Sequence, residues 1–298
     1  MSRAGVGVGI VGCGYTGERI VRALAGGHAP APVVTTRSPA RAEALRALGA
    51  EAHVIDPQDS AALAAALRGC AFVIHSVPPG PPGDPTAAIV AALQAAEVTS
   101  CVYLGSTAVY PLEVAGECSE DTPVDPAAER GAARLAAERT LEASGLRVAL
   151  LRIAAIYGPG RGLHVRLRAG AHRVAGEGGS FVSRIHVDDL VQFALAAGAG
   201  WSSVPAPTPE SRIFNIADAL PMTARAAADL VATRLGLPPA PSVPIEAVHE
   251  SLRGNRRISS ARACAELGVT LRYPTFAEGL EAVLAEESAA APPPPQSG

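Results

Sequence analysis

An apolar segment that runs into a glycine-rich turn near the N-terminus constrains the fold of this chain more than any other feature. Residues 6–11 are rich in Val and Ile, which is typical of a buried strand, and the pattern Gly12-x-Gly14-x-x-Gly17 follows at once. An amphipathic helix comes next. This order predicts the strand, turn and helix of a βαβ unit that binds a dinucleotide. A purely structural glycine-rich turn is the alternative.

Each position of this pattern predicts a separate task. Gly12 permits the tight turn, Gly14 lets a pyrophosphate approach the backbone, and Gly17 lets the helix pack against the strand. Tyr15 and Thr16 lie at the start of the helix, where backbone N–H groups and the helix dipole favour phosphate. We therefore expect all five residues to contribute to a cofactor site.

The end of the second predicted strand, 32–37, bears on which dinucleotide is bound. An Asp or Glu there would hydrogen-bond the ribose 2′-hydroxyl of NAD, but the chain has Thr36, Arg37 and Ser38. An arginine can pair with a 2′-phosphate, and a serine can add a hydrogen bond. The pattern favours NADP over NAD as the cofactor. A surface arginine that opens the next helix is the alternative interpretation.

The downstream apolar segments predict a parallel α/β sheet. Strands are expected at 51–56, 71–76 and 100–105, and helices at 40–48, 60–68 and 85–96. Ligands of open parallel sheets bind at the carboxyl ends of the strands. Ser76, Val77 and Pro78, which follow the fourth strand, are therefore predicted to touch the cofactor.

Composition excludes several classes of protein. A formal net charge of −3 over 298 residues gives no sign of a nucleic-acid partner, and no apolar run reaches the roughly 18–20 residues that a membrane span needs. The five cysteines form no C-x-x-C pair. Because the first predicted strand starts at residue 6, we expect no signal peptide. We expect a cytoplasmic protein without a metal site that acts on a small molecule.

Four further motifs follow the glycine-rich turn in a fixed order, and with them the chain resembles the extended short-chain dehydrogenase/reductases, the superfamily of NAD(P)-dependent epimerases and dehydratases. The resemblance covers about residues 6–220, and segments 255–262 and 271–276 are similar to an atypical branch whose members often lack the full catalytic tetrad. The four motifs are Leu104-Gly105-Ser106-Thr107-Ala108-Val109-Tyr110-Pro111, Arg152-Ile153-x-x-Ile156-Tyr157-Gly158-Pro159-Gly160, Arg184-Ile185-His186-Val187-Asp188-Asp189-Leu190 and Phe214-Asn215-Ile216.

The resemblance implies an α/β fold, a Rossmann-like doubly wound parallel sheet of about seven strands with a small C-terminal substrate lobe. The expected domains are 1–160 for NAD(P) binding, 161–287 for the substrate lobe with elements that return to the sheet, and 288–298 as a disordered, Pro-rich tail. Helices are expected near 163–174, 187–199, 223–235 and 275–287. A homodimer formed through two long helices per subunit is also implied.

The family's catalytic residues are only partly present. The resemblance implies that Ser106 hydrogen-bonds the substrate oxygen and that Tyr157 and Pro159 lie beside the cofactor. The family's Tyr-x-x-x-Lys pair falls on Arg130 and Arg134, counted back from Glu138. A guanidinium stays protonated, so Arg130 cannot act as the proton-accepting base. Arg134 can still bind a cofactor phosphate or ribose; a solvated helix face is the alternative.

Two other groups invite a chemical role. Tyr110 is the first substitute as acid or base, with an aromatic side chain that closes the pocket wall as the alternative. His186, Asp188 and Asp189 suggest a metal or a triad. We expect a structural role instead, with Asp188 capping a helix, because no His-x-x-x-His or Glu-x-x-His spacing is present.

The residues leave more than one function open. The first is an NADP-dependent oxidoreductase or epimerase-like enzyme with an altered Tyr/Lys pair. Arg161, Arg166 and Arg168 would favour an anionic substrate such as a nucleotide sugar or a carboxylate. The second is a catalytically inactive dinucleotide-binding sensor or scaffold. A β-hydroxyacid dehydrogenase shares the glycine-rich turn and a Ser76-Val77-Pro78 loop, but the later motifs favour the extended class.

Overall fold

A computed structural model describes residues 7–25, 30–80, 83–126, 129–202, 209–249 and 253–290. The strands in this part of the chain are β1 (Val8–Val11), β2 (Val33–Thr36), β3 (Glu51–Val54), β4 (Phe72–His75), β5 (Ser100–Leu104), β6 (Glu113–Cys118), β7 (Arg147–Ile153), β8 (Ala155–Tyr157), β9 (Val174–Ala175), β10 (Phe181–Val182), β11 (Arg184–His186), β12 (Glu210–Ile216), β13 (Met222–Thr223), β14 (Ser242–Val243) and β15 (Asn255–Ile258).

Helices alternate with the first strands. They are α1 (Tyr15–Leu24), α2 (Pro39–Ala47), α3 (Ser60–Leu67), α4 (Thr86–Ala95), α5 (Glu129–Glu142), α6 (Leu163–Arg168), α7 (Val187–Ser202), α8 (Ala224–Leu235), α9 (Ala261–Leu267) and α10 (Phe276–Ala290), with 3-10 turns at Thr107–Val109 and Ile245–Ala247.

Seven parallel strands form the central sheet, in the order β12-β7-β5-β4-β1-β2-β3. Helices α1, α2, α7 and α9 cover one face, and α3, α4 and α5 cover the other. Burial on both faces explains why β7 is a continuous apolar run broken only by arginines, rather than an alternating strand. The predicted doubly wound sheet is confirmed. Its order reverses between β1 and β4, where a crevice opens for a ligand.

The C-terminal half returns to the sheet once and otherwise builds a smaller layer. β12 adds the seventh strand, whereas β13-β10-β15-β6 form a separate four-stranded sheet. Helices α6, α8 and α10 surround a second apolar core that contains Tyr157 and Phe276. This layer lies over the carboxyl end of β5, where Ser106 starts a turn.

Several helix ends differ from the expected ones, among them that of α7, which continues to Ser202 instead of 199. The helix expected over 163–174 ends at Arg168, because Gly170 adopts φ +64° and its N–H bonds back to the Leu167 carbonyl. The last helix continues to Ala290, past the expected end at 287. The predicted Pro-rich tail beyond 290 lies outside the described residues.

Candidate functional site

The glycine-rich turn joins β1 to α1 and is held by two neighbouring elements. Gly12 adopts φ +79°, a conformation that favours glycine, and a Cβ there would lie 2.4 Å from Val77 Cγ2. From β2, Thr35 Oγ1 accepts a hydrogen bond from Gly12 N at 3.3 Å, and its carbonyl accepts one from Cys13 N at 2.8 Å. The turn is therefore fixed before any ligand binds.

The remaining glycines fit a bound pyrophosphate. A Cβ on Gly14 would meet no atom closer than 4.0 Å, so the backbone is open on that side, whereas one on Gly17 would lie 2.8 Å from Cys13 Sγ. No side chain caps the start of α1. The first N–H groups of α1, from Tyr15 and the buried Thr16, are thus free of a side-chain acceptor and suited to phosphate oxygens.

Tyr15 and Pro159, predicted from distant motifs, are in contact. The Tyr15 hydroxyl donates to the Pro159 carbonyl at 3.1 Å, and the Arg161 guanidinium lies 5.3 Å from the Tyr15 ring centroid. The turn at 158–161 therefore covers the start of α1, and Arg161 reaches from this turn toward the neighbouring cavity.

The predicted cofactor-specificity segment lies beside the same turn. Thr36 Oγ1 accepts from Ser38 N at 3.3 Å, and Ser38 Oγ caps α2 by accepting from Arg41 N at 3.3 Å. Arg37 is exposed. Arg41, which the sequence reasoning missed, extends back over the glycine-rich turn: it donates to Gly14 O at 3.0 Å and pairs with Glu18 at 2.8 Å. Arg41 follows Arg37 by four positions in the sequence, and this spacing could have identified it as a second basic residue near the turn.

The loop after β4 also lies against the glycine-rich turn. Ser76 N donates to Val11 O at 2.9 Å, and Val77 packs on Gly12 as described, with the exposed Pro78 following. His75, directly before this loop, is buried; its Nδ1 accepts from Val77 N at 3.3 Å.

A cavity of about 440 Å³ lies at the carboxyl end of β5. Four arginines line it, and no Asp or Glu of the described chain does. None of the four forms a salt bridge within that part of the chain. These arginines are Arg130, Arg134, Arg161 and Arg256. A second cavity, of about 470 Å³ between β6 and α9, contains none of the predicted residues.

Ser106 lines the cationic cavity and starts the 3-10 turn after β5. Its Oγ accepts from Ala108 N at 3.2 Å, so the side chain caps this turn. The hydroxyl proton is still available to donate to a ligand, because a serine hydroxyl can accept and donate at once.

The predicted arginine pair lies beside this turn. A Cβ on Gly131 would lie only 2.3 Å from the Ala108 carbonyl oxygen, so the first turn of α5 packs directly on the Ser106 turn. Arg130 is exposed and Arg134 half-buried on the cavity wall. On the other side, Arg256 Nη1 donates to Thr107 O at 2.7 Å and Tyr110 O at 3.1 Å.

The structure does not favour Tyr110 as an acid or base. Its side chain is 1% exposed; the hydroxyl donates to Asn215 Oδ1 at 2.8 Å and accepts from Arg152 Nη1 at 3.1 Å. Burial raises the pKa of Tyr110 despite these polar partners. The phenol thus belongs to a buried network at the cavity wall, where its hydroxyl already donates to Asn215 and accepts from Arg152.

The side chain of Tyr157 is buried in the C-terminal core. It is 2% exposed and packs edge-on against His186 and Phe276, with ring centroids 5.2 and 4.9 Å apart. Its hydroxyl occupies the space left by the missing side chain of Gly279. Burial raises the pKa of Tyr157 well above its usual range. Its side chain belongs to the C-terminal core, so the interpretation of a cofactor contact through this phenol needs correction.

Asp188 and Asp189, which follow β11, bind other residues of the protein, but Asp188 does not cap the helix as expected. Asp188 lies inside the first turn of α7 and pairs with Arg19 at 2.7 Å instead of capping the helix. Asp189 accepts from Arg272 N at 2.7 Å and Tyr273 N at 3.0 Å. The predicted cap was therefore wrong. Within the described ranges, no group of three or more His, Cys, Asp or Glu is arranged to hold a metal.

Sequence reasoning also missed Glu287, on α10. Its Oε1 accepts from Gly160 N at 2.8 Å and contacts His164 Nε2 at 2.9 Å, and its Oε2 accepts from Arg168 at 2.5 Å. Burial alone would raise the pKa of Glu287, but these hydrogen bonds outweigh it and lower the pKa to about 2. The carboxylate fixes the turn that covers the start of α1.

In the described residues, no helix has the length and apolar character that a membrane crossing requires. The comparison with curated proteins returned no match. A family model described as NAD(P)H-binding matches residues 12–197, which is more than half of the chain.

Solved structures share the fold over nearly the whole length. A conserved protein of unknown function from Silicibacter pomeroyi is 32% identical, with a TM-score of 0.77, and the match covers 95% of this chain and 99% of that one. MoeE5, solved with UDP-glucose and NAD, is 24% identical, with a TM-score of 0.77 and coverages of 95% and 98%. UDP-glucose 4-epimerase from Thermotoga maritima, solved with UDP-glucose, is 17% identical, with a TM-score of 0.79 and coverages of 95% and 98%.

The family match covers the glycine-rich turn, the Ser106 turn and five of the seven strands of the central sheet, β2 to β5 and β7. Because this family model matches more than half of the chain, the protein belongs to the NAD(P)H-binding family.

Proposed function

We propose that this protein is an NADP-dependent oxidoreductase or epimerase-like enzyme in which Arg130 and Arg134 replace the Tyr/Lys pair. The proposal rests on one observation, the contact between the predicted dinucleotide site and a neighbouring cavity. A pre-formed dinucleotide turn is joined, through Arg161 on Tyr15, to a cavity that contains Ser106. A dinucleotide sensor would need the first site but gives no reason for the second.

The cofactor assignment rests on the edge of β2. Arg37 is exposed and Ser38 lies beside it; Arg41 adds a second guanidinium within reach of Gly14. Two cations next to the turn and no carboxylate at the end of β2 support a 2′-phosphate, and hence NADP. The neighbours solved with NAD support dinucleotide binding but do not distinguish the two cofactors.

The cavity supplies part of the family's chemistry. When bound, the nicotinamide supplies or accepts a hydride. Ser106 would donate its hydroxyl proton to the substrate oxygen, and Arg134 would hydrogen-bond the cofactor ribose in place of the lysine. Arg130 stabilises negative charge but accepts no proton. The proton must therefore be exchanged with water that enters the open cavity.

An anionic small molecule fits this cavity, because four guanidinium groups line it without a carboxylate among the described lining residues. Structural neighbours solved with nucleotide sugars, which are anionic, also support an anionic substrate. We assign residues 1–160 to the cofactor and 161–287 chiefly to the substrate. The cavity draws on both segments.

The proposal is tested by following deuteride from C4-labelled NADPH into a panel of carbonyl compounds that includes 4-keto nucleotide sugars and 2-oxo acids. Stereospecific transfer that Ser106→Ala reduces at least tenfold, with NADPH affinity unchanged, supports the enzyme. Tight NADPH binding without transfer to any compound contradicts it. A protein partner whose affinity differs between NADP⁺ and NADPH would then favour the sensor.

A further inference from the structure

The cationic cavity brings together four arginines whose charge no carboxylate of the described lining balances. Arg19 and Arg152, by contrast, pair with Asp188 and Glu138. Arg130 and Arg256 have no such partner in the described part of the chain. Unmatched cations around a concave surface favour an anionic ligand group there.

The position of Arg130 decides where on the ligand this anionic group must be. Since Gly131 brings α5 into contact with Ala108 O, Arg130 is held next to the turn that begins at Ser106. Arg256 holds the same turn from β15 through two carbonyls. Arg130 and Arg256 therefore belong to segments that contact the Ser106 turn, and both line the same cavity as Ser106.

We propose that the substrate is a 2-oxo acid, with its carboxylate bonded to the carbonyl carbon that receives the hydride, and that Arg130 binds this carboxylate. The inference rests on the proposed function and specifies its substrate class. A guanidinium presents two parallel N–H donors that match the two oxygens of a carboxylate. With the carboxylate on Arg130, the adjacent carbonyl oxygen is placed at Ser106.

The reaction balances in the direction of reduction. The carbonyl carbon gains the hydride, its oxygen takes the electron pair of the C=O double bond and then a proton from water, and the cofactor is left oxidised. The cationic surroundings stabilise the developing alkoxide. No protein base is needed in this direction, which suits a site whose tyrosine position holds an arginine.

The experiment is a calorimetric titration of the full-length protein with oxamate, a non-reacting analogue of a 2-oxo acid, and with oxamide, its neutral counterpart. Each is titrated with and without saturating NADPH. The variants are Arg130→Gln and, as a matched control, Arg139→Gln, an exposed arginine on the same helix that does not line the cavity.

Oxamate is expected to bind at least tenfold more tightly than oxamide. Arg130→Gln should remove that preference, Arg139→Gln should keep it, and NADPH affinity should stay within twofold in both variants. Equal binding of oxamate and oxamide, or an oxamate affinity that survives Arg130→Gln, overturns the assignment while the proposed function stands. Failure of NADPH itself to bind overturns the proposed function instead; the titrations without cofactor still decide whether Arg130 selects a carboxylate.

Discussion

The Arg152 guanidinium forms a buried ion pair with Glu138, with 2.8 Å between Nη2 and Oε2 and both side chains at most 5% exposed. Arg152 lies on β7 and Glu138 on α5, the helix that also carries Arg130 and Arg134. Through Tyr110 the same guanidinium reaches Asn215 on β12. The network thus fixes the helix of the candidate site against the central sheet.

Breaking this pair from one side should be severely destabilising, because the remaining charge is buried without a partner. Arg152→Leu and Glu138→Leu are each expected to lower the free energy of unfolding by about 3–5 kcal/mol. The double variant should lose clearly less than the sum, because it buries no lone charge. Urea unfolding of the four proteins measures this. Additive losses would contradict a coupled pair.

Gly131→Ala tests how closely α5 approaches the Ser106 turn. The added Cβ would overlap Ala108 O, so the helix must move away from the turn. We expect a loss of stability of about 1–3 kcal/mol, together with weaker binding of anions in the cavity. Ala132→Gly, at an exposed position on the same helix, changes helix propensity without this overlap and should leave anion affinity unchanged.

Glu287→Gln tests the fixation of the 158–161 turn by α10. The amide keeps the size of the side chain but loses the charge that Gly160 N, His164 and Arg168 surround. A less ordered turn should weaken dinucleotide binding by up to about tenfold, since ordering must then accompany binding. Glu281→Gln on the exposed side of α10 is the control. Equal dinucleotide affinity in all three proteins would show that Glu287 has no influence on cofactor binding.

The buried His75 predicts a dependence of stability on pH. Burial lowers its pKa to about 4 from an ordinary value of 6.5, so between these values the unfolded chain binds a proton that the folded one excludes. His75 therefore lowers stability as the pH falls from about 6.5 to 4, by at most about 1.4 kcal/mol per pH unit.

Variants are needed to isolate this effect, because Asp218 acts in the opposite direction. Burial raises the pKa of Asp218 to about 7, so its contribution declines as the pH rises from 3.8 to 7. We expect His75→Leu to be less stable than the wild type at pH 7. Its free energy of unfolding should, however, decrease less than that of the wild type when the pH falls from 7 to 5. Parallel stability curves for the two proteins, measured by urea unfolding at pH 7 and 5, would rule out the assigned role of His75.

The sequence pattern predicted those features that depend on residues close together in the chain. The glycine spacing identifies the turn because Gly12, Gly14 and Gly17 act on neighbouring atoms. The cap of α3 is equally local, since Asp59 accepts from Ala62 N, three positions later, at 2.9 Å. The sheet order follows from the family resemblance and from the regular alternation of strands and helices.

Partners that come from distant segments could not be predicted. Asp188 does not cap the helix, because its Oδ1 pairs with Nη2 of Arg19, 169 positions earlier, at 2.7 Å. Tyr110 turned inward because Arg152 and Asn215 provide hydrogen bonds there. No sequence motif marks Glu287. It can fix the 158–161 turn only because α10 lies against that turn. In each case tertiary contacts decided which of the chemically possible roles was realised.

The central claim is that the glycine-rich turn and the edge of β2 bind NADP(H), and calorimetric titration with NADP⁺, NADPH, NAD⁺ and NADH tests it most directly. The variant is Arg37→Asp, and the control is Arg68→Asp, an exposed arginine between α3 and β4 at the opposite end of the strands. NADP(H) should bind more tightly than NAD(H), and Arg37→Asp should lower NADP(H) affinity by about 10- to 100-fold, the effect of losing one or two charge-assisted hydrogen bonds. Arg68→Asp should change nothing. Failure of all four dinucleotides to bind the wild-type protein would contradict the account.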